Sequence, residues 1–454
     1  MHHERYRHGL SIFATHLSQR LYWLLLIVSS MADASWLEFC PYPSLPDPLP
    51  AGYLSHILDS TQTVRLLRIS AEPPHDPSCQ VRQLPISTDD LAWVGFASPS
   101  DSQARRLGLL GQQNQQTFKV TEIVDIDASA ATVHVRDESL PPKLTGPKTS
   151  PIHYPRAAWF WSPTIWQQTP QRIFDAQIKF GLQRIYISLP FSEQQISHAN
   201  QLREFLQLAH RHGLQVWAVL GDPHAVLDDQ RPYFLNLAKS IEAFNSEPDP
   251  NKLDGLQLDI EPYLLPGYHV NPGIWLKKQA ETVAAVRQVT PSLALDMVIP
   301  FWLNPEQKEG SELLTAVEAH LNSLTVMNYR TDLDQIHDFT EKFLTWGDTH
   351  KKSVFIALES LPIADQELRV YAQAAQGELW QIDFGSVKVL MLLKQPQALS
   401  GEKAYRLSHT RNVEGSNTSF FQKPEALHDL ISKIEYHFSD SPSFAGVALH
   451  GLDN

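Results

Sequence analysis

Between residues 157 and 449 eight short apolar runs recur, and the stretches between them carry helical periodicity. The runs are 157–161, 185–189, 216–220, 255–260, 293–299, 324–327, 354–358 and 445–449. Apolar segments this short, flanked by breakers, read as buried strands. A strand returned by a helix to the same edge must pair in parallel, so the repeat describes βα units. Eight parallel strands covered by helices close more naturally as a (β/α)₈ barrel than as an open sheet of that width. A doubly wound sheet is the competing architecture, but no Gly-rich phosphate loop follows the first run to support it. The fold class is therefore α/β, a TIM barrel spanning 151–454. Thr169-Pro170 opens the first helix, and Gly213 closes the second after His210 and His212.

Three features sit outside the repeat. Residues 35–150 hold short alternating runs at 63–69, 91–96 and 131–135, read as strands of an N-terminal β-rich domain, and the proline-rich stretch 140–151 reads as a linker. After the seventh run about sixty residues precede the next helical stretch, too many for a plain loop. An insertion near 362–422, containing the strand-like 387–393, is expected there as a hairpin or small subdomain. The chain reaches Asn454 soon after the eighth run, so the eighth helix is expected to be missing.

At the N-terminus Arg5, Arg7 and Arg20 precede the apolar run 21–28 and the small-residue site Ala32-Asp-Ala34. That order is the order of a signal peptide over 1–34. The apolar run falls short of the ~20 residues a spanning helix needs, so no stable membrane span is expected and the destination is periplasmic or secreted. The only two cysteines, Cys40 and Cys79, could then pair, the alternative being two free thiols. With 37 basic and 50 acidic residues and no basic run, nucleic acid is not an expected partner.

The chemistry concentrates on the fourth run, Asp254-Gly-Leu-Gln-Leu-Asp-Ile-Glu261. In a strand Gln257, Asp259 and Glu261 share one face, about 6.6 Å apart in succession. In a barrel that face is the interior, with Glu261 at the C-terminal rim where active sites of this architecture lie. Two inward acids are costly to bury, and a carboxyl kept protonated beside a second carboxylate is what glycosidic cleavage asks of its general acid. The structural alternative is an ion-pair network with Arg330.

The fourth run resembles the DGxDxDxE strand of glycoside hydrolase family 18, the chitinase-type barrels. Val326-Met-Asn-Tyr329 on the sixth run is similar to that family's Met-x-Tyr motif, and an insertion near the seventh strand is also like that family. The resemblance implies Glu261 as proton donor, Asp259 as the carboxylate orienting a substrate acetamide, and Tyr329 as a donor to it. Two positions depart: Gln257 replaces the inner Asp of the motif, and Arg330 follows Tyr329 where chitinases carry an acid. Both departures point away from chitin towards another polysaccharide, N-acetylated or deacetylated.

Glu359, at the end of the seventh run, opens a second geometry in which acids on strands four and seven act as a retaining pair. A carboxyl separation of about 5 Å would suit a nucleophilic Glu359, and a longer one a water-mediated or substrate-assisted route. Trp161 and Trp302 are candidate stacking platforms. Asp222, His224 and His450 join the substrate-binding candidates, with Tyr329, Arg330 and Gln257. A metal held by His224 and His450 lacks the HxH or HExxH spacing that would support it, so no metal or cofactor is expected. The expected protein is an exported glycosidase, and the alternative is a non-catalytic glycan-binding barrel.

Overall fold

A computed structural model describes residues 35–44, 49–50, 52–58, 63–73, 76–97, 106–113, 116–127, 154–265, 267–384, 387–398 and 401–452. The segment 1–34 read as a signal peptide, the run at 131–135 and the stretch 140–151 read as a linker lie outside the described residues. Two compact units emerge, one of residues 131–368 with 411–454, the other of residues 1–130 with 369–410.

The larger unit is a closed parallel barrel. Its strands are β1 (Arg156–Phe160), β2 (Leu182–Ser188), β3 (Gln215–Leu220), β4 (Gly255–Leu258), β5 (Leu295–Pro300), β6 (Ser323–Met327), β7 (Ser353–Glu359) and β8 (Phe444–His450). They pair in the order β3-β4-β5-β6-β7-β8-β1-β2, with β2 closing onto β3. All eight apolar runs of the sequence are barrel strands. Helices follow the first seven, from Gln171–Phe180 after β1 to Pro424–His437 before β8. One start signal is read differently by the chain. Pro163–Gln168 forms a short helix first, so Thr169 caps its end and Pro170 begins the longer helix.

Alternation along each strand fills the barrel interior with Ala157, Trp159, Tyr186, Trp217, Val219, Val298, Phe355, Ala357 and Ala448. Near the base the Arg184 guanidinium lies over the rings of Trp217, at 4.3 Å, and Phe355, at 4.7 Å. This cation–π seating keeps the charge inside while its methylenes pack. Across from Trp217, Gly255 leaves the room that the indole occupies: a Cβ there would stand 2.4 Å from the ring. The Asp-Gly that opens the fourth strand is thus a packing requirement. Asp254 itself accepts hydrogen bonds from the Val216 amide, at 2.7 Å, and from His210, at 3.1 Å, tying β4 to the start of β3.

In the smaller unit Ser35–Tyr42 lies between Val64–Ser70 and Gln80–Leu84 in a four-stranded sheet. Cys40 and Cys79 form a disulfide. A seven-stranded sheet runs Leu91–Ala97, Val387–Gln397, Gly377–Phe384, Lys403–Val413, Gln366–Ala374, Gln116–Asp127, Arg106–Gln113. The insertion is therefore not a hairpin of its own. Its strands Val387–Gln397 and Gln366–Ala374 pair with strands from residues 91–127, since a lone hairpin could not bury its apolar face. Among the described residues no helix is long and apolar enough to cross a membrane.

Gly255→Ala should lower stability by about 1–3 kcal/mol, because the indole or the backbone must give way. Denaturant unfolding would measure it, and a stability equal to the parent protein would refute the packing role assigned to this glycine.

Candidate active site

Regular pairing of β4 stops at Leu258, and the chain leaves the ladder as Asp259, Ile260 and Glu261. The Asp259 amide still donates to the Leu220 carbonyl at 2.9 Å, which holds the departing segment against β3. Glu261 adopts φ −114°, ψ 72°, outside the strand conformation, and Pro262 then opens a helical turn. The even strand spacing expected between the two acids is therefore bent, yet both line one cavity. That cavity, of about 300 Å³, is walled by Trp159, Trp161, Tyr329 and His450, with Val298 and Met327 as apolar lining, and by Gly221 and Pro223 after β3.

Burial pushes the Asp259 carboxyl well above the usual carboxylate range, and the charges of Glu261 and Asp296 push the same way. Its Oδ1 is buried without a hydrogen-bond partner. A lone acceptor in a dry setting is costly unless it holds a proton or meets a donor from a ligand. Glu261 accepts a hydrogen bond from the Tyr263 hydroxyl. Burial, then the Glu261 charge and that hydrogen bond, raise the Tyr263 phenol well above its ordinary value, so it stays a donor. Tyr329 is raised by burial first, then by Glu359, Asp259 and Glu261.

Beneath the acids lies a closed polar layer. Trp159 Nε1 donates to Gln257 Oε1 at 2.6 Å, which fixes which end of the amide is which. Gln257 Nε2 then donates to Asp296 Oδ2 at 2.8 Å and to Thr325 Oγ1 at 3.3 Å. Thr325 gives a further hydrogen bond to Asp296 Oδ2 at 2.8 Å, and Ser323 gives one to Oδ1 at 2.5 Å. Burial raises the Asp296 carboxyl, and the donors from Ser323, Gln257 and Thr325 oppose that shift. Gln257 is fully buried and sits below the cavity lining, so it supports the site and does not contact a ligand there.

On the opposite wall the histidine stands at the mouth as expected, and the acid lies behind it. His450 lines the cavity, and Glu359, 5% exposed, does not. Glu359 Oε1 accepts from the amides of Ser360, at 2.7 Å, and Leu361, at 2.6 Å, while Oε2 accepts from His450 Nδ1 at 2.8 Å. Burial favours its neutral form, but the His450 hydrogen bond and charge, with the two amides, outweigh it and hold the carboxyl below its usual range. Phe420 donates its amide to the Glu359 carbonyl at 2.8 Å, pinning this strand end.

The remaining candidates divide. Trp161 and Tyr329 line the cavity, with the Tyr329 ring nearly parallel to that of His450 at 6.2 Å. Arg330 is turned elsewhere: its guanidinium lies 4.6 Å over the Phe301 ring and donates to the Tyr329 carbonyl at 2.6 Å. Trp302 packs edge-on to Tyr263, at 5.1 Å, and backs the tyrosine that holds Glu261. Asp222 accepts from the amide of His224, at 2.8 Å, and from its Nδ1, at 3.0 Å, in an exposed turn beside the cavity. The sequence reading overlooked Tyr263 and Asp296. An acid within the apolar 293–299 and a tyrosine two residues past Glu261 were visible signals for them.

No protein-family model and no curated protein sequence matches the chain. Among solved structures it is similar to the spore cortex-lytic enzyme SleL of Bacillus cereus, at 10% identity over 67% of this chain and 72% of that one, with a TM-score of 0.37. It is also similar to a chitinase from Chromobacterium violaceum, at 11% identity over 66% and 94%, TM-score 0.35. The glycoside hydrolase domain of PelA from Pseudomonas aeruginosa aligns at 12% identity over 46% and 86%, TM-score 0.31.

The raised Asp259 carboxyl has a thermodynamic signature. From about pH 4 upward the unfolded chain releases this proton and the folded chain resists, so the residue subtracts stability as pH rises. Asp259→Asn removes that cost. Its melting temperature should exceed that of the parent protein by more at pH 7 than at pH 4; a gap that does not widen with pH would contradict the burial cause.

Proposed function

We propose that this protein is an exported glycoside hydrolase acting on a polysaccharide of neutral or amino sugars, N-acetylated or deacetylated. The observation that carries the reading is the pairing of Asp259 and Glu261 in one aromatic-walled cavity at the C-terminal rim of a parallel barrel. Glu261 gives its proton to the glycosidic oxygen, with Tyr263 orienting the carboxyl. Asp259, beside Glu261 in the same cavity, orients an acetamide or hydroxyl beside the reacting carbon. Trp161, half-buried in the cavity wall, offers an aromatic surface to a sugar ring. Among the described residues the cavity lining holds two acids and no Lys or Arg, which disfavours uronic or sulfated sugars and suits an uncharged or cationic ring. Export agrees with the N-terminal leader pattern and with the pairing of Cys40 and Cys79.

A second reading, a glycan-binding protein without turnover, draws on Gln257. Its amide spends both ends on Trp159, Asp296 and Thr325, and Asp259 Oδ1 is left unpaired. Reducing-end release separates the two readings on β-1,4-linked oligomers of glucosamine, N-acetylglucosamine and glucose. Accumulation by the wild type, with Glu261→Gln slower by about 10²–10⁴-fold, supports the hydrolase. Oligomer binding without any release supports the second reading.

A further inference from the structure

We infer that Asp296 is a positioning residue for the reaction at Asp259 and Glu261: from β5 its carboxyl does what an inner acid on β4 would do, and Gln257 is the residue that permits the exchange. The inference rests on the hydrolase reading above and adds to it the group that acts on Asp259 from below.

Gln257 and Asp296 are register partners on adjacent parallel strands, and Asp296 is in turn the partner of Ser323 on β6. Both side chains are fully buried and meet through the 2.8 Å bond from Nε2 to Oδ2. Asp259 stands two residues beyond Gln257, so alternation places it on the same face, one level higher. Neighbouring strands lie about 4.8 Å apart, so an acid on β5 at this level is moved from the β4 position by one strand spacing. Its charge still reaches Asp259.

An acid at position 257 beside Asp296 would set two carboxyls in hydrogen-bond contact in a dry interior, where both cannot ionise at low cost. The amide and the acid are therefore one arrangement. Trp159 Nε1 holds Gln257 Oε1 at 2.6 Å, which leaves Nε2 as a donor to Asp296.

The carboxyls of Asp296 and Asp259 are provided for unequally. Asp296 receives donors from Ser323, Thr325 and Gln257, and the Arg184 charge favours its ionised form. Asp259 Oδ1 receives none. As pH rises Asp296 therefore gives up its proton first, and Asp259 is left to ionise against that charge. Glu261, on the same segment, acts on Asp259 in the same sense, and the Tyr263 and Tyr329 phenols beside it stay neutral. His450, with Glu359 behind it, lines the same cavity, and below, Tyr186 is a neutral neighbour of Asp296. Asp296 itself lies beneath the cavity lining, out of a ligand's reach. Its effect on a substrate passes through Asp259: it sets when that carboxyl holds a proton, and so how it meets the group beside the reacting carbon.

The test uses the full chain and a mixed β-1,4-linked glucosamine/N-acetylglucosamine hexamer. In Asp296→Asn the side-chain oxygen takes the place of Oδ2 and the NH₂ faces Ser323, whose hydroxyl can accept, so the layer stays bonded and the charge is lost. Turnover should fall about 10–10²-fold with KM little changed. The limb of the pH profile that Asp259→Asn abolishes should move to lower pH, because Asp259 then ionises against one charge fewer. The swap Gln257→Glu/Asp296→Asn returns the carboxyl to β4, where one oxygen accepts from Trp159 and the other from the new amide. It should recover most of the lost turnover and bring the limb back to its parental pH. A folded Asp296→Asn of parental turnover and profile, or a folded swap no more active than the single variant, overturns the inference. Carboxyl ¹³C shifts of the parent protein give the order of ionisation whether or not a variant folds. Asp296 should lose its proton at lower pH than Asp259, and the reverse order overturns the inference. If the wild type cleaves no oligomer, the hydrolase reading fails, and the ¹³C order still decides whether Asp296 acts on Asp259.

Discussion

A carboxylate that never meets water, Asp296 inside the barrel, sets the terms for everything above it. Removing such a group from water costs several kcal/mol unless its lone pairs are filled. Ser323, Thr325 and Gln257 fill them, one hydroxyl on Oδ1 and a hydroxyl and an amide on Oδ2. Satisfying Asp296 therefore requires three strands to be in register, β4, β5 and β6, and it requires the Gln257 amide to point in one direction. Trp159 enforces that direction from β1. Burial and this charge together press the neighbouring Tyr186 hydroxyl up to about 12, so it too remains a neutral donor.

The same charge reaches upward. Asp259 stands in the field of Asp296 below and Glu261 beside it, in a place already poor in water. Like charges brought this close cannot all ionise at low cost, so the layer converts an ordinary aspartate into a proton-holding one. A Gln in place of an inner acid on β4 does not remove negative charge from the interior, because the acid is present one strand over, at Asp296.

The two walls of the cavity are built on opposite electrostatic plans. On the β4 side burial and mutual repulsion raise the carboxyl of Asp259. On the β8 side amide donors and an imidazole pull the carboxyl of Glu359 down despite its burial. The two carboxyls are thus pushed in opposite directions by their surroundings, Asp259 towards its neutral form and Glu359 towards its charged one. Rigidity follows from the same contacts, since the residue 415–420 segment bonds to the end of β7 and aromatic rings brace His450.

The amino-acid sequence by itself determined the number of strands, their parallel pairing and the strand that bears Asp259 and Glu261. Those are consequences of local pattern: a short apolar run followed by a stretch of period near 3.6, repeated, admits few architectures, and strand alternation assigns each residue to a face. It did not determine partners. Gln257 meets Asp296 across 39 positions, Glu359 meets His450 across 91, and residues 91–127 share a sheet with residues 366–413. Periodicity says which way a side chain points and nothing about what it finds there, because that depends on how the barrel closes and which strands pair. For the same reason Arg330 read as a cavity residue beside Tyr329, and only the packed structure laid it on Phe301. Glu359 read as a group facing the substrate, and only the pair of backbone amides at its strand end turned it towards the histidine.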